Sequence, residues 1–190
     1  MPILKRDVDL FPAYLFESRA ESRPWRVAHA RSRQEKRLAR HLLEREVPFY
    51  LPLEEKVARL DGRRRISYLP LFPGYVFFRG PALPALQSNV VCQVLEVCDQ
   101  GGLEQELSSL WRLQEAGAPL VPHPYLRRGD RVEIAQGPLR GFVGTILRQK
   151  GRLRLVVGIR LLGQAASAEV EREMVIPARP FTELRRVAAG

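Results

Sequence analysis

The stretch PLFPGYVFFRG, Pro70–Gly80, packs Leu71, Phe72, Tyr75, Val76, Phe77 and Phe78 into one short run, broken only by Pro73 and Gly74. Pro-Gly is turn chemistry, so the chain turns there, and Tyr75–Arg79 reads as a strand. Successive strand side chains alternate between faces, which puts Tyr75 and Phe77 on one side and Val76 and Phe78 on the other. Helices are expected to cover the Val76/Phe78 face and to leave Tyr75 and Phe77 for a partner. The alternative, that Tyr75 and Phe77 are ordinary core, stands beside it because aromatic side chains are usually buried.

Upstream of that run, Asp61-Gly62 is a hairpin signal between two extended arms, 49–60 and 63–69. Farther back, WRVAHAR (25–31) alternates Trp25, Val27 and His29 with Arg26 and Ala28, a strand pattern. Ser32 and Glu35 have capping-box spacing, so a helix should begin there. Leu38, Ala39, Leu42 and Leu43 give it an apolar stripe, with Arg33, Lys36, Arg37, Arg40 and His41 largely opposite. Pro48 ends it by about residue 46.

Downstream, a short helix fits 81–88, a strand fits 90–97, and Leu103, Leu107, Leu110 and Trp111 mark a longer helix that ends at Gly117. Strands and helices alternate without a strict βαβ rhythm, which favours an α+β class. APLVPHPYLRR (118–128) has linker composition. Beyond it RVEIA, FVGTILR, RLRLVVGIRL and AEVEREMVI suggest a small β-barrel, with Gly141 and Gly144 permitting positive φ or a tight corner. Residues 1–24 form an N-terminal extension whose Leu10, Phe11, Tyr14, Leu15 and Phe16 are too apolar for an idle tail.

The bulk composition is that of an ordinary globular chain of 190 residues, 45% hydrophobic and 27% charged, so global disorder is excluded. Its charge is less ordinary. Thirty-one Lys+Arg against 21 Asp+Glu leave +10, a balance that suits a polyanionic partner such as nucleic acid. Cys92 and Cys98 lack both a disulfide framework and CxxC spacing and read as buried small hydrophobes. No run reaches the ~18 apolar residues of a membrane span, and the N-terminus lacks a signal-peptide pattern, so a cytoplasmic protein is expected.

Catalytic chemistry finds no foothold. His29, His41 and His123 stand in no metal-ligand pattern, no GxSxG or phosphate loop occurs, and Glu54-Glu55 is more simply a solvated hairpin arm. The expectation is a non-enzymatic protein without metal or cofactor.

The order of these features, W-x-V, an Arg-rich helix, a hairpin closing on PLFPGYVFF, then GDRVEIAQGPLRGFVGTI, resembles the NusG family of transcription elongation factors. The resemblance runs from Trp25 to about Ala178. It implies a NusG N-terminal domain at 25–117, an antiparallel sheet flanked by helices, then a linker at 118–128. An SH3-like KOW barrel at 129–180 and a tail at 181–190 complete the chain. Within the family, the spacing from WRVAHARSRQEKRLARHLLERE to PLFPGYVFF is more similar to RfaH-like antiterminators than to the housekeeping factor. One departure stands out: the polar segment by which RfaH touches the other large polymerase subunit is shortened here to about PALPALQS (81–88).

By that resemblance, the NusG domain would dock on the clamp helices of the largest catalytic RNA polymerase subunit through Trp25, His29, Phe72, Pro73, Tyr75 and Phe77. Arg31, Arg33, Arg37, His41 and Arg45 would follow the non-template DNA strand, although a merely solvated charged face reads equally from the sequence. Leu161, Leu162, Gly163 and Gln164 would form the KOW tip that relatives use on a small-subunit ribosomal protein or the termination factor Rho; the Leu pair is a knob or core. The implied function is processive elongation and antitermination by a monomer that reaches the nucleoid through polymerase. A housekeeping coupling factor is the first alternative, and a ribosome- or RNA-binding KOW protein the second.

Overall fold

Phe72-Pro73-Gly74-Tyr75 forms a tight turn in which the Tyr75 amide donates to the Phe72 carbonyl (3.1 Å) and Gly74 sits at φ +88°. Proline at the second position and a positive-φ glycine at the third are the signature of a type II turn. The computed structural model describes residues 7–17, 23–60, 63–124, 130–137, 140–149, 152–171 and 174–177.

In chain order the first part holds β1 (Leu10–Phe11), β2 (Trp25–Ala30), α1 (Glu35–Glu44), β3 (Phe49–Tyr50), β4 (Leu53–Leu60), β5 (Arg63–Pro70), β6 (Tyr75–Arg79), α2 (Leu83–Leu86), β7 (Val91–Glu96) and α3 (Gln100–Glu115). The second holds β8 (Val121–Pro124), β9 (Asp130–Ile134), β10 (Val143–Gln149), β11 (Arg152–Ile159), β12 (Gln164–Val170) and β13 (Val175–Pro177). The fold is α+β. One antiparallel sheet runs β1-β3-β6-β2-β7, another β13-β9-β10-β11-β12-β8, and β4-β5 form a separate ribbon.

Register in the first sheet sets Val27 opposite Phe77, Ala28 opposite Val76 and Phe49 opposite Phe78. Ala28, Val76, Phe78 and Phe49 therefore face one way, where they pack with Leu38, Ala39 and Leu42 of α1 and Ala85 of α2. This is the helix-covered face the alternation anticipates. The opposite face, expected to be open, is covered as well. Trp25, Val27, Tyr50, Phe72 and Phe77 pack with Leu103, Leu107, Leu110 and Leu113 of α3 and with Leu15 of the extension.

Polar staples fix α3 there. The Gln100 amide both accepts from the Trp25 backbone N–H (2.7 Å) and donates to the Trp25 carbonyl (3.0 Å), as a neighbouring strand would. At the other end Tyr50 donates to Gln114, which donates to the Leu53 carbonyl (2.9 Å).

Several local expectations shift. The helix begins at Glu35 with Gln34 as its N-cap, so Ser32 does not open a capping box; Arg33 stands at φ +61° in the turn before it. The first hairpin arm is split, because Phe49–Tyr50 pairs with β6 while only Leu53–Leu60 joins the ribbon. The proline-rich 118–128 segment contains β8, an edge strand on β12, where prolines are tolerated; residues 125–129 lie outside the described ones. AEVEREMVI divides into the end of β12 and β13. Gly141 does take positive φ (+82°), whereas Gly144 serves close packing: a Cβ there would meet Leu155 Cδ1 at 2.6 Å. Cys92 and Cys98 are exposed rather than buried, since the strand carrying Cys92 is a sheet edge and Cys98 follows it in a loop.

The extension is part of the fold. Leu10 and Phe11 pair with Tyr50 and Phe49, and the Leu51 amide donates to the Asp9 carbonyl (2.7 Å). Asp7 reaches Lys36 and Arg40 of α1, at 3.5 and 4.0 Å. Past the edge strand, Phe16 lies among Trp25 (5.9 Å between ring centres), Tyr50 (5.2 Å) and Trp111 (5.6 Å). It thus clasps the sheet from one face round its edge to the other.

Candidate functional site

The residues expected to meet polymerase divide into a support and a surface. Trp25, Phe72 and Phe77 are buried beneath α3 and the extension, Phe77 completely. Strand alternation located their face correctly but could not show that α3 and Phe16 lie on it. His29 and Tyr75 are half-buried and Pro73 is exposed. They are neighbours: His29 pairs with Tyr75 across β2 and β6, and the two rings stack with centres 5.0 Å apart at 22°.

What holds this surface is a residue that the sequence reading placed only in a helix cap. Glu35, buried at the first turn of α1, accepts a 2.7 Å hydrogen bond from the Gly74 amide. A carboxylate at a helix N-terminus also sits favourably in the helix field. The Ala30 amide then donates to the Gly74 carbonyl (2.7 Å). Both polar groups of Gly74 are thereby tied down, one to α1 and one to β2. A Cβ on Gly74 would press on the His29 ring at 3.3 Å. Glycine is needed twice, for its φ and for the imidazole beside it.

At the opposite end of β2, the Trp25 indole N–H donates to Glu104, which also pairs with Arg79. The Arg79 guanidinium lies 4.5 Å over the Trp25 ring, and its other donor reaches the Arg23 carbonyl (3.1 Å). This buried cation is held on two sides, by charge and by an aromatic face. Trp25 is an anchor for α3.

Of the basic residues expected beside DNA, Arg31, Arg33, Arg37 and Arg45 are exposed. His41 differs. Its Nε2 bonds the Pro84 carbonyl (2.9 Å) and its Nδ1 meets Arg45 (3.2 Å), so the ring ties α1 to α2. With Nε2 donating to a carbonyl and Nδ1 accepting from a guanidinium, the neutral tautomer fits both bonds. At the far sheet, Leu161 is 42% exposed, Leu162 packs inward, Gly163 takes φ +61° and Gln164 opens β12 opposite Pro124. The Leu pair is one knob and one core residue.

Among the described residues no cluster of His, Cys, Asp and Glu is arranged to hold a metal ion, and no helix is long and apolar enough to cross a membrane.

The chain is similar in sequence to known proteins. The chain is 25% identical over 174 residues to a transcription termination/antitermination protein NusG of Pseudomonas aeruginosa, covering 80% of this chain and 96% of that one. It is 28% identical over 137 residues to the protein of the same name from Pasteurella multocida, covering 66% and 74%. A chain from a crystal structure of the MjSpt4:Spt5 complex in conformation B aligns over 82% of this chain and 97% of its own at 14% identity. Its TM-score of 0.24 gives it no bearing on the fold. Residues 23–97, which run from β2 to β7, match the family model for the transcription termination factor nusG, and over that part the chain is similar to that family.

Proposed function

We propose that this chain is a specialised NusG-type elongation and antitermination factor. It docks on the clamp helices of the largest catalytic RNA polymerase subunit through His29, Pro73 and Tyr75. The observation that carries this reading is the His29–Tyr75 stack beside exposed Pro73, set on a turn that Glu35 and Ala30 lock. A preorganised aromatic-proline surface loses little entropy on binding. Trp25, Phe72 and Phe77 act from beneath, by giving that surface a rigid floor.

Arg31, Arg33, Arg37 and Arg45 line the solvent side of the Arg31 turn and α1, where they attract the non-template DNA strand without reading bases. His41 positions α1 against α2 behind them. Holding a polymerase clamp in its processive state needs tighter binding to that state than to others, and no bond chemistry. The +10 charge favours the specialised role over the housekeeping one. Exposed Leu161 favours a second use, coupling through the KOW tip to Rho or a small-subunit ribosomal protein.

The test replaces the surface and spares the floor. His29→Ala with Tyr75→Ala should weaken binding to a purified core polymerase by about 30-fold or more, the equivalent of one ~2 kcal/mol hot spot. Circular dichroism and melting temperature show whether the variant is folded. Undiminished affinity in a folded variant removes the docking reading.

A further inference from the structure

The ribbon β4-β5 belongs to neither sheet. Its base is secured: Leu53 is buried, Tyr68 packs on the α1-side core, and the Leu71 amide donates to the Pro52 carbonyl (2.8 Å). From there two strands of eight residues run outward, about 25 Å at the usual rise per residue. The carboxylates of the two strands, Glu54 and Glu55, lie near the base, where Glu54 is paired with Lys56 at 3.1 Å; Asp61, in the turn, lies outside the described residues. The distal end carries Arg59, Arg63, Arg64 and Arg65, all exposed and none in a salt bridge with another described residue.

Register makes this arrangement costly for the ribbon itself. Arg59 stands directly opposite Arg64, with Arg63 and Arg65 on the other face of the same tip. Like charges facing each other across strands destabilise a ribbon. A polyanion would reverse that penalty.

We propose that the β4-β5 ribbon is a DNA-duplex probe that places Arg59, Arg63, Arg64 and Arg65 against the phosphates of a B-form groove. Three features select this partner. A two-stranded ribbon fits the B-DNA major groove, about 12 Å wide, whereas the A-form RNA major groove is too narrow to admit it. With cations on both ribbon faces, each wall of a groove meets a charge. No aromatic residue lies within 59–65, so the tip lacks the stacking platform by which single strands are held. This contact is distinct from that of α1, and it does not depend on polymerase docking.

The experiment uses the full chain and a fluorescein-labelled DNA duplex of mixed sequence, followed by anisotropy from about 50 to 200 mM KCl. Arg63→Glu with Arg64→Glu should weaken duplex binding at least tenfold and flatten the log–log salt dependence by about 1.8, or ~0.9 per lost phosphate contact. The melting temperature should hold or rise, because a carboxylate in place of the Arg64 guanidinium would face Arg59. Unchanged duplex affinity and slope in the ribbon variant would overturn the proposal. So would tighter parent binding to the single strand or to an RNA hairpin than to the duplex.

Discussion

Glu35 is the residue on which the most depends for its size. It is buried, its carboxylate accepts from the Gly74 amide at 2.7 Å, and the carbonyl of the same glycine is already committed to Ala30. Removing the carboxylate strands a buried N–H, which costs about 1–3 kcal/mol. Glu35→Ala should therefore lower the urea midpoint by that equivalent, while Glu35→Gln, which keeps an acceptor oxygen, should recover most of it. Equal losses for the two variants would mean that side-chain volume, not the hydrogen bond, matters at this site. The sequence makes Glu35 visible only as a local helix-start signal, because its true partner lies 39 positions away. By contrast Gly74 is legible at once: Pro-Gly before a strand has few other uses. The complete burial of Phe77 and the half-burial of Tyr75 differ for a reason that local alternation cannot express, namely which elements end where on one face.

At the scale of elements, the extension is the least anticipated piece. Its apolar residues signal a packing role, but nothing local tells that Leu10–Phe11 would pair with β3 or that Phe16 would sit among Trp25, Tyr50 and Trp111. Two-residue strands carry too little pattern to read, and the aromatic cluster joins four separate parts of the chain. Strands β2 and β6 and helices α1 and α3, by contrast, follow from periodicity, and their faces fall where the apolar spacing puts them. The strap has a spectroscopic handle, since both tryptophans of the chain line its pocket. Phe16→Ala should cost about 2 kcal/mol, less than a fully buried Phe→Ala because the ring is half-exposed. Acrylamide should quench the tryptophans more strongly in that variant; quenching and stability equal to the parent would show that the strap does not hold in solution.

For the whole molecule, the decisive feature is that one apolar cluster runs through both sheets. Trp25 and Phe77 belong to it, as do Leu107 and Leu110 of α3 and Ile134, Phe142, Leu155 and Val157 of the second sheet's half. Composition alone separates the two halves at 118–128, because proline density and the change from helix-rich to strand-rich patterns are local properties. Shared burial is not. Arg112 of α3 lies 4.7 Å over the Phe142 ring, which packs at the joint, and Leu120 adds to the same cluster from the connection. Such continuity implies that the two sheets unfold together, as one cooperative unit would. Phe142→Ala tests this because the mutation lies in the second sheet's half while both tryptophans lie in the first. The substitution should cost about 3–5 kcal/mol. The tryptophan-fluorescence transition should shift to lower denaturant in step with the far-ultraviolet circular dichroism, although both tryptophans belong to the other half. A fluorescence transition left at its parent midpoint, while the dichroism splits into two steps, would mean that the halves are joined by contact without sharing stability.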